Sequence, residues 1–457
     1  MKRWGAALFI LLLCVVTIFL NAPRDRAMFG DTDTRVLLEQ LEKRDAPLSW
    51  FGGDWPLENH FYRPVSTLVF EFDRLVHPGS ALGFGLTSAA LCAFCVLALF
   101  WFVRELTDDA VVSASCALLL TVWTVRHTSS LLEWLPWLAL PVIAFGLWRH
   151  SLKIRNWLPA VLVLFYLPLE VRGLHIGQGS SGFPTGVLDW LPGRTATTMT
   201  VFCLLACAAY ARYERTGAAK KVRESTPLDP PATRSSIHVE RKESSVGWAL
   251  LSIVAAALAL GSYEQAVMLP AVLLGVAVLF KLQGYGVRWG WQAAFWGLLV
   301  GYLALRRMIL PQDASGYQMQ QFRDGLGVAL ILSAYIAPTL SMLHVWPQYL
   351  SSGIFVFLTK GPYMLPLTLG GNVAAYVKGR RHLQLVLGGL VLSFFAFLPM
   401  AWLKPFVHYH YWPMAMRTLL VVGVFWAAFE LVVTAVSPPR MQAPRRLSPA
   451  PGSLPRP

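Results

Sequence analysis

The stretch Ala81–Val103, ALGFGLTSAALCAFCVLALFWFV, contains no charged side chain from end to end. A predominantly apolar run of about 20 residues is what a helix needs to cross the ~30 Å hydrocarbon core of a bilayer. Runs of the same kind recur on both sides of it. Across the 457 residues, 55% are apolar and only 14% are charged. Soluble globular chains carry about 25% charged residues. Intrinsic disorder needs low hydrophobicity and high charge, so it is excluded for most of the chain. A conventional soluble enzyme is excluded on the same numbers. The sequence therefore predicts an all-α polytopic membrane protein of about 12 spans, within a range of 10–14, by the ~20-residue rule.

Before Ala81, the chain offers Trp4–Leu20 behind the basic start Met1-Lys2-Arg3. It is long enough to span and is followed by no clean cleavage site, so it reads as a retained first helix with a cytoplasmic N-terminus. After Val103 the spans are Ala110–Val125, Leu131–Trp148, Trp157–Leu169 and Thr195–Tyr213, then Trp248–Leu260, Ala266–Phe280 and Trp291–Leu305. The apolar stretches Gly325–Leu343 and Ile354–Val377 are broken by prolines, and one of them is expected to be re-entrant or interfacial. Leu383–Pro399 and Pro413–Val436 complete the set.

The formal net charge of +14 lies mostly in short basic runs between these segments, where it acts as a topology signal. No nucleic-acid-binding motif competes with that reading. It divides the chain into an N-terminal membrane half, 1–211, with a large first outer loop at 23–80. A basic cytoplasmic linker follows at 212–246, then a C-terminal half at 247–436 and a Pro- and Arg-rich tail at 437–457, expected to be disordered and cytoplasmic. The six cysteines all lie in apolar stretches, and neither a disulfide framework nor a structural metal is expected from them. The 18 Trp residues concentrate near span ends, as an aromatic belt requires.

Ionisable groups concentrate in the first outer loop. Asp31 and Asp33 follow Gly30 at the start of a helix predicted over Thr34–Lys43. Asp is a preferred N-cap, and the helix dipole favours the ionised form there. Capping explains one carboxylate but not two, which leaves a catalytic or metal-site role open for the other. Glu264 stands between two apolar runs, where an ionisable group is functional by default or else pairs with Arg194 or Arg306. His408 and His410 alternate with tyrosines, a pattern compatible with metal binding, with interfacial anchoring, or with contact to an acceptor or lipid head.

The segment HFYRPVSTLVFEFDRLVHPGSALGFGLTSAALCAFCVLALFWFVRELT, residues 60–107, resembles the Tyr-Arg-Pro segment and second helix of the C-type membrane glycosyltransferases. The protein O-mannosyltransferase-like branch is the nearest in pattern. VLDWLPGRTATTMTVFCLLACAAYARYER, 187–215, is similar to the family's W-x-x-G-R segment. ALALGSYEQAVMLPAVLL, 257–274, is similar to its S-x-E segment, with Tyr263 where the family has Lys. FLPMAWLKPFVHYHYWPMAM, 397–416, resembles its late outer loop. No one motif is specific; their order along the chain carries the resemblance.

That resemblance implies transfer of a sugar from a polyprenyl-phosphate donor to an acceptor hydroxyl on the outer face, with inversion. It implies Asp31 or Asp33 as the base, with Asp31 the first choice. It implies cations for the donor phosphate, for which Arg194, Arg172, Arg306 and Arg307 are the candidates because guanidinium presents a planar fork to phosphate oxygens. Snorkelling to lipid headgroups is the ordinary alternative for each. Tyr62, Arg63, Glu264, His408 and His410 are further site candidates. A divalent metal, Mg or Mn, would assist phosphate departure, and its ligands are not identified by the sequence. The expected partners are the lipid-linked donor, an acceptor of unknown class and the bilayer, with no nucleic acid; the expected location is a bacterial inner membrane. The rival class is a lipid or small-solute transporter, whose repeat symmetry the sequence lacks. A non-catalytic family member is the other alternative.

Overall fold

The computed structural model describes residues 3–23, 29–44, 46–124, 187–188, 190–224, 245–323, 325–336, 380–404 and 406–436. Among them there is no strand beyond one isolated bridge between Phe322 and Leu403. The helices are α1 (Arg3–Asn21), α2 (Thr32–Arg44), α3 (Pro64–Val76), α4 (Ala81–Thr107) and α5 (Ala110–Trp123). They continue with α6 (Arg194–Glu224), α7 (Ser245–Leu260), α8 (Leu269–Leu282), α9 (Gly290–Ile309) and the short α10 (Gly316–Gln321). The last three are α11 (Gly325–Ile336), α12 (Arg380–Phe397) and α13 (Tyr411–Val436).

Among the described residues, four helical segments are long and apolar enough to cross a membrane: Ala81–Thr107, Leu191–Gly217, Glu264–Leu282 and Leu383–Trp402. Shorter apolar helices cover Gly5–Asn21, Ala110–Trp123 and Val246–Leu260. Large apolar side chains such as Leu8, Phe19, Phe94, Val254 and Val300 face outward from this bundle. A surface of that kind belongs in lipid. The spans expected at 131–148, 157–169 and 354–377 lie outside the described residues, as does the tail at 437–457.

Two belts of charge mark the ends of the bundle. At one end, Arg194 at the start of α6 meets Asp73 of α3 and the Phe84 carbonyl of α4. At the other, Arg212 and Arg215 of α6 reach Glu105 of α4 at 3.3 and 3.6 Å, and Arg215 reaches Asp108 at 2.6 Å. From Phe84 to Glu105 the 1.5 Å helical rise gives about 32 Å, close to the hydrocarbon thickness. Arg212, which the sequence places in a flexible linker, is instead on a helix that continues to Glu224.

Local sequence explains the element boundaries. Asp109 caps α5 by accepting from the Val111 and Val112 N–H groups. Ser80 caps α4 through the Gly83 N–H. The expected span from Ala266 opens as a 3₁₀ turn, Glu264–Met268, before α8 begins at Leu269. Pro270 sits at the first turn of α8, where its missing N–H costs nothing. Between α12 and α13 the backbones approach so closely that a Cβ on Gly389 would overlap the Leu420 backbone nitrogen. Small residues at a helix contact permit that approach in a membrane.

The polar loops at the α3 end are tied to one another. The loop after α9 docks on the first loop: Ser315 donates to the Asn59 carbonyl at 3.1 Å and Gln318 to the His60 carbonyl at 3.1 Å. The same loop joins the late loop through Arg323 N–H to the Trp402 carbonyl, 2.9 Å, and Lys404 N–H to the Gln321 carbonyl, 2.7 Å. Beneath the first loop lies a separate apolar cluster of Leu37, Leu41, Trp50, Trp55, Phe70, Phe84 and Leu191. This cluster seats α2 and the first loop on the helix ends.

Candidate active site

The two first-loop aspartates have different jobs. Asp31 caps α2, accepting from the Thr34 N–H at 2.8 Å with one oxygen and from the Thr34 hydroxyl with the other. Asp33, in the first turn, is solvent-exposed and accepts a side-chain hydrogen bond from Trp190. Partial burial at the junction, reinforced by the Asp31 charge, raises the Asp33 carboxyl above the ordinary Asp range, and the Trp190 bond opposes the shift. Both Asp31 oxygens thus accept from Thr34, and Asp33 is the more exposed of the two carboxylates.

Trp190 leads from Asp33 into an aromatic centre. Its ring lies 5.1 Å from His408, and His408 lies 6.1 Å from Tyr263. Tyr263 in turn faces the Arg63 guanidinium at 4.4 Å, with Trp55 at 4.3 Å and Phe61 at 4.1 Å on its other sides. Arg63 bonds Glu264 through Nε at 2.9 Å and Nη2 at 2.8 Å, both to Oε2. The partner of Glu264 is therefore Arg63, not Arg194 or Arg306. Tyr62 stands beside this pair, donating its hydroxyl to the Phe51 carbonyl at 3.0 Å. Tyr317, whose ring meets Phe61 edge-on at 6.5 Å, feels both Asp33 and Arg63.

His408 and His410 do not converge on one point. His408 is buried among Trp190, Tyr263, Phe406 and Tyr409. His410 stacks on Phe397 at 5.1 Å and 16°. Burial, with the Arg63 charge nearby, pushes the His408 imidazole down to about 3. Burial together with Arg417 and Arg323 pushes His410 down to about 4. Both rings are neutral at pH 7. Among the described residues no trio of His, Cys, Asp or Glu is arranged to hold a metal. Asp31 accepts from Thr34 and Asp33 from Trp190, and no third carboxylate, thiol or imidazole joins them among the described residues.

The cationic candidates separate cleanly. Arg194 has no exposed surface; Nε donates to the Ser88 hydroxyl at 3.0 Å, Nη1 to Asp73 and Nη2 to the Phe84 carbonyl. The donor-phosphate role expected for Arg194 is thus corrected: every nitrogen of its guanidinium is used inside the fold. Arg172 lies outside the described residues. Arg306 and Arg307, in the last turn of α9, line an open cavity of about 450 Å³ together with His60, Asp313 and Gln318. Arg307 is exposed and Arg306 half-buried.

The sequence thus pointed to Asp33, Arg63, Glu264 and His408, and the structure gathers them in one centre. It passed over Trp190 as a belt aromatic and Tyr302 altogether, and noted Tyr263 only as standing where the resembled family has Lys. The available signal for Trp190 was its place before the rigid Leu191-Pro192-Gly193 turn that opens α6. Compared with protein-family models, with curated proteins and with solved structures, the chain gives no match.

Proposed function

We propose that this protein is a membrane glycosyltransferase of about 12 spans, by the length rule, that moves a sugar from a polyprenyl-phosphate donor to an acceptor hydroxyl. The observation that carries the reading is the pairing of functions at one end of the bundle. An exposed carboxylate of raised pKa, Asp33, stands at the rim of an aromatic centre, and the cavity bearing Arg306 and Arg307 opens beside the same loops. A lipid-linked donor explains why such a site belongs at a membrane edge: the polyprenyl tail stays in the bilayer while the head reaches the loops. The basic-charge asymmetry of the sequence favours the outer face of a bacterial cytoplasmic membrane for this end.

In this mechanism Asp33 takes the proton of the acceptor hydroxyl as its oxygen attacks the anomeric carbon. The bond from that carbon to the phosphate oxygen breaks, and its electron pair leaves with the polyprenyl phosphate. Arg306 and Arg307 receive the charge that accumulates on the phosphate. The single displacement inverts the anomeric centre. Arg63 and Glu264, neutralising one another, hold the aromatic walls in place without adding net charge.

Transfer from a polyprenyl-phospho-hexose to acceptors in a membrane extract, with the protein in lipid nanodiscs, tests the reading. Asp33→Asn is expected to lose about 10²–10⁴-fold in rate, the usual contribution of a general base. Asp31→Asn is expected to keep near-normal activity, because Asn caps a helix about as well as Asp. Loss in Asp31→Asn with retention in Asp33→Asn would remove Asp33 from the mechanism; no transfer by the unaltered protein from any polyprenyl-linked hexose would remove the function.

A further inference from the structure

Three buried polar atoms close to this centre have no hydrogen-bond partner among the described residues: Glu264 Oε1, the Tyr302 hydroxyl and Arg306 Nε. Tyr302 is only 8% exposed, and its ring lies 6.1 Å from that of Tyr62. Tyr302 stands one helical turn before Arg306 on α9, its ring lies beside Tyr62, and Arg63, the next residue, holds Glu264, so the three atoms belong to one neighbourhood. Buried polar atoms are nearly always paired, and three exceptions together call for an explanation.

Their chemistry specifies what would pair them. Glu264 already has its charge matched by Arg63 through Oε2. Its free oxygen therefore suits a neutral donor, a hydroxyl, better than a second cation. The Tyr302 hydroxyl can donate or accept, and Arg306 Nε can only donate. Arg306 also lines the neighbouring cavity of about 450 Å³, within the ordinary range for small-ligand sites. A ligand that offers hydroxyls toward Glu264 and Tyr302 and an anionic oxygen toward Arg306 is a hydroxylated ring carrying a phosphate.

We propose that Glu264, Tyr302 and Arg306 form a specificity subsite that reads the ring hydroxyls of the donor sugar, with Arg306 bridging from ring to phosphate. This rests on the glycosyltransferase reading for the identity of the ligand, and it assigns sugar selection to α9 and to the turn before α8, not to the first loop.

Equilibrium titration of the full chain in nanodiscs, with gluco-, galacto- and manno-hexose 1-phosphates and with inorganic phosphate, tests it. The best hexose phosphate is expected to bind about tenfold tighter than inorganic phosphate, the worth of one or two net hydrogen bonds. Tyr302→Phe removes one oxygen and leaves the Arg63–Glu264 pair intact, so folding is spared. It should erase most of the preference while leaving the affinity for inorganic phosphate within about twofold. Arg306→Gln should weaken both ligands. Equal binding of phosphate and hexose phosphates by the unaltered protein, no binding of either, or a full preference surviving Tyr302→Phe would overturn the subsite; the last result would mean that water pairs these atoms. The two proposals fail separately. Binding with the expected preference but no transfer from any polyprenyl donor would sink the enzyme reading alone, whereas transfer without the preference would sink the subsite alone.

Discussion

Arg194 shows how a single charge is claimed by the fold. Its guanidinium has a carboxylate, a hydroxyl and a carbonyl as partners and lies beside the Phe70 and Phe84 rings at 5.3 and 5.7 Å. The ion pair with Asp73 is wholly buried. Removing one member of such a pair leaves the other charge uncompensated, at a cost of about 3–5 kcal/mol. Arg194→Ala should therefore lower the thermal unfolding temperature and the yield of extractable protein, and Arg194→Lys should rescue little because one ammonium cannot serve three directions. Normal stability with a selective loss of donor binding would instead return Arg194 to the phosphate. Asp33 is the opposite case. Among the described residues its side-chain hydrogen bond is to Trp190, and its exposure leaves it open to solvent.

At the scale of elements, the informative piece is the 3₁₀ turn Val407–His410 at the head of α13. It lays His408 against the aromatic centre and His410 against Phe397. Both imidazoles are held well below the unfolded value of about 6.5, at about 3 and about 4. The folded state therefore binds fewer protons than the unfolded state between those limits. Stability contributed by the neutral rings is complete above pH ~6.5 and declines as the pH falls toward ~4, by on the order of 1 kcal/mol per unit for each histidine. Thermal melts from pH 7 to 4.5 should show that decline, and His410→Phe, which keeps the ring against Phe397, should roughly halve it. A midpoint independent of pH would mean that these rings are hydrated in solution.

For the whole molecule, the decisive quantity is the distance between the two charge belts, about 32 Å along α4 by the helical rise. It sets the loops that carry Asp33, Arg63 and His408 at one membrane face and the Glu105–Arg212 network at the other. Cysteines introduced at Leu48, which is 76% exposed, and at Gln283, exposed after α8, should accordingly react with a membrane-impermeant reagent from opposite sides. Labelling of both from one side would break the alternation on which this arrangement depends. The site itself is a whole-molecule property: its members come from the first loop, the start of α6, the turn before α8, the end of α9 and the head of α13.

The sequence by itself determined the helical, membrane-embedded character, because long uncharged apolar runs leave the backbone only internal partners and about 20 residues per crossing. It also carries local signals at several helix starts, where Asp31, Ser80 and Asp109 are capping residues. What it could not determine was the pairing of charges. Arg194 finds Asp73 across 121 residues, and Arg63 finds Glu264 across 201. Whether a guanidinium faces phosphate or a buried carboxylate depends on which helix ends meet, and local pattern carries no trace of that. The same holds for Trp190 and Tyr302. In sequence each is one more aromatic near a span end, and only packing sets the first beside Asp33 and leaves the hydroxyl of the second buried within reach of the Glu264 and Arg306 charges.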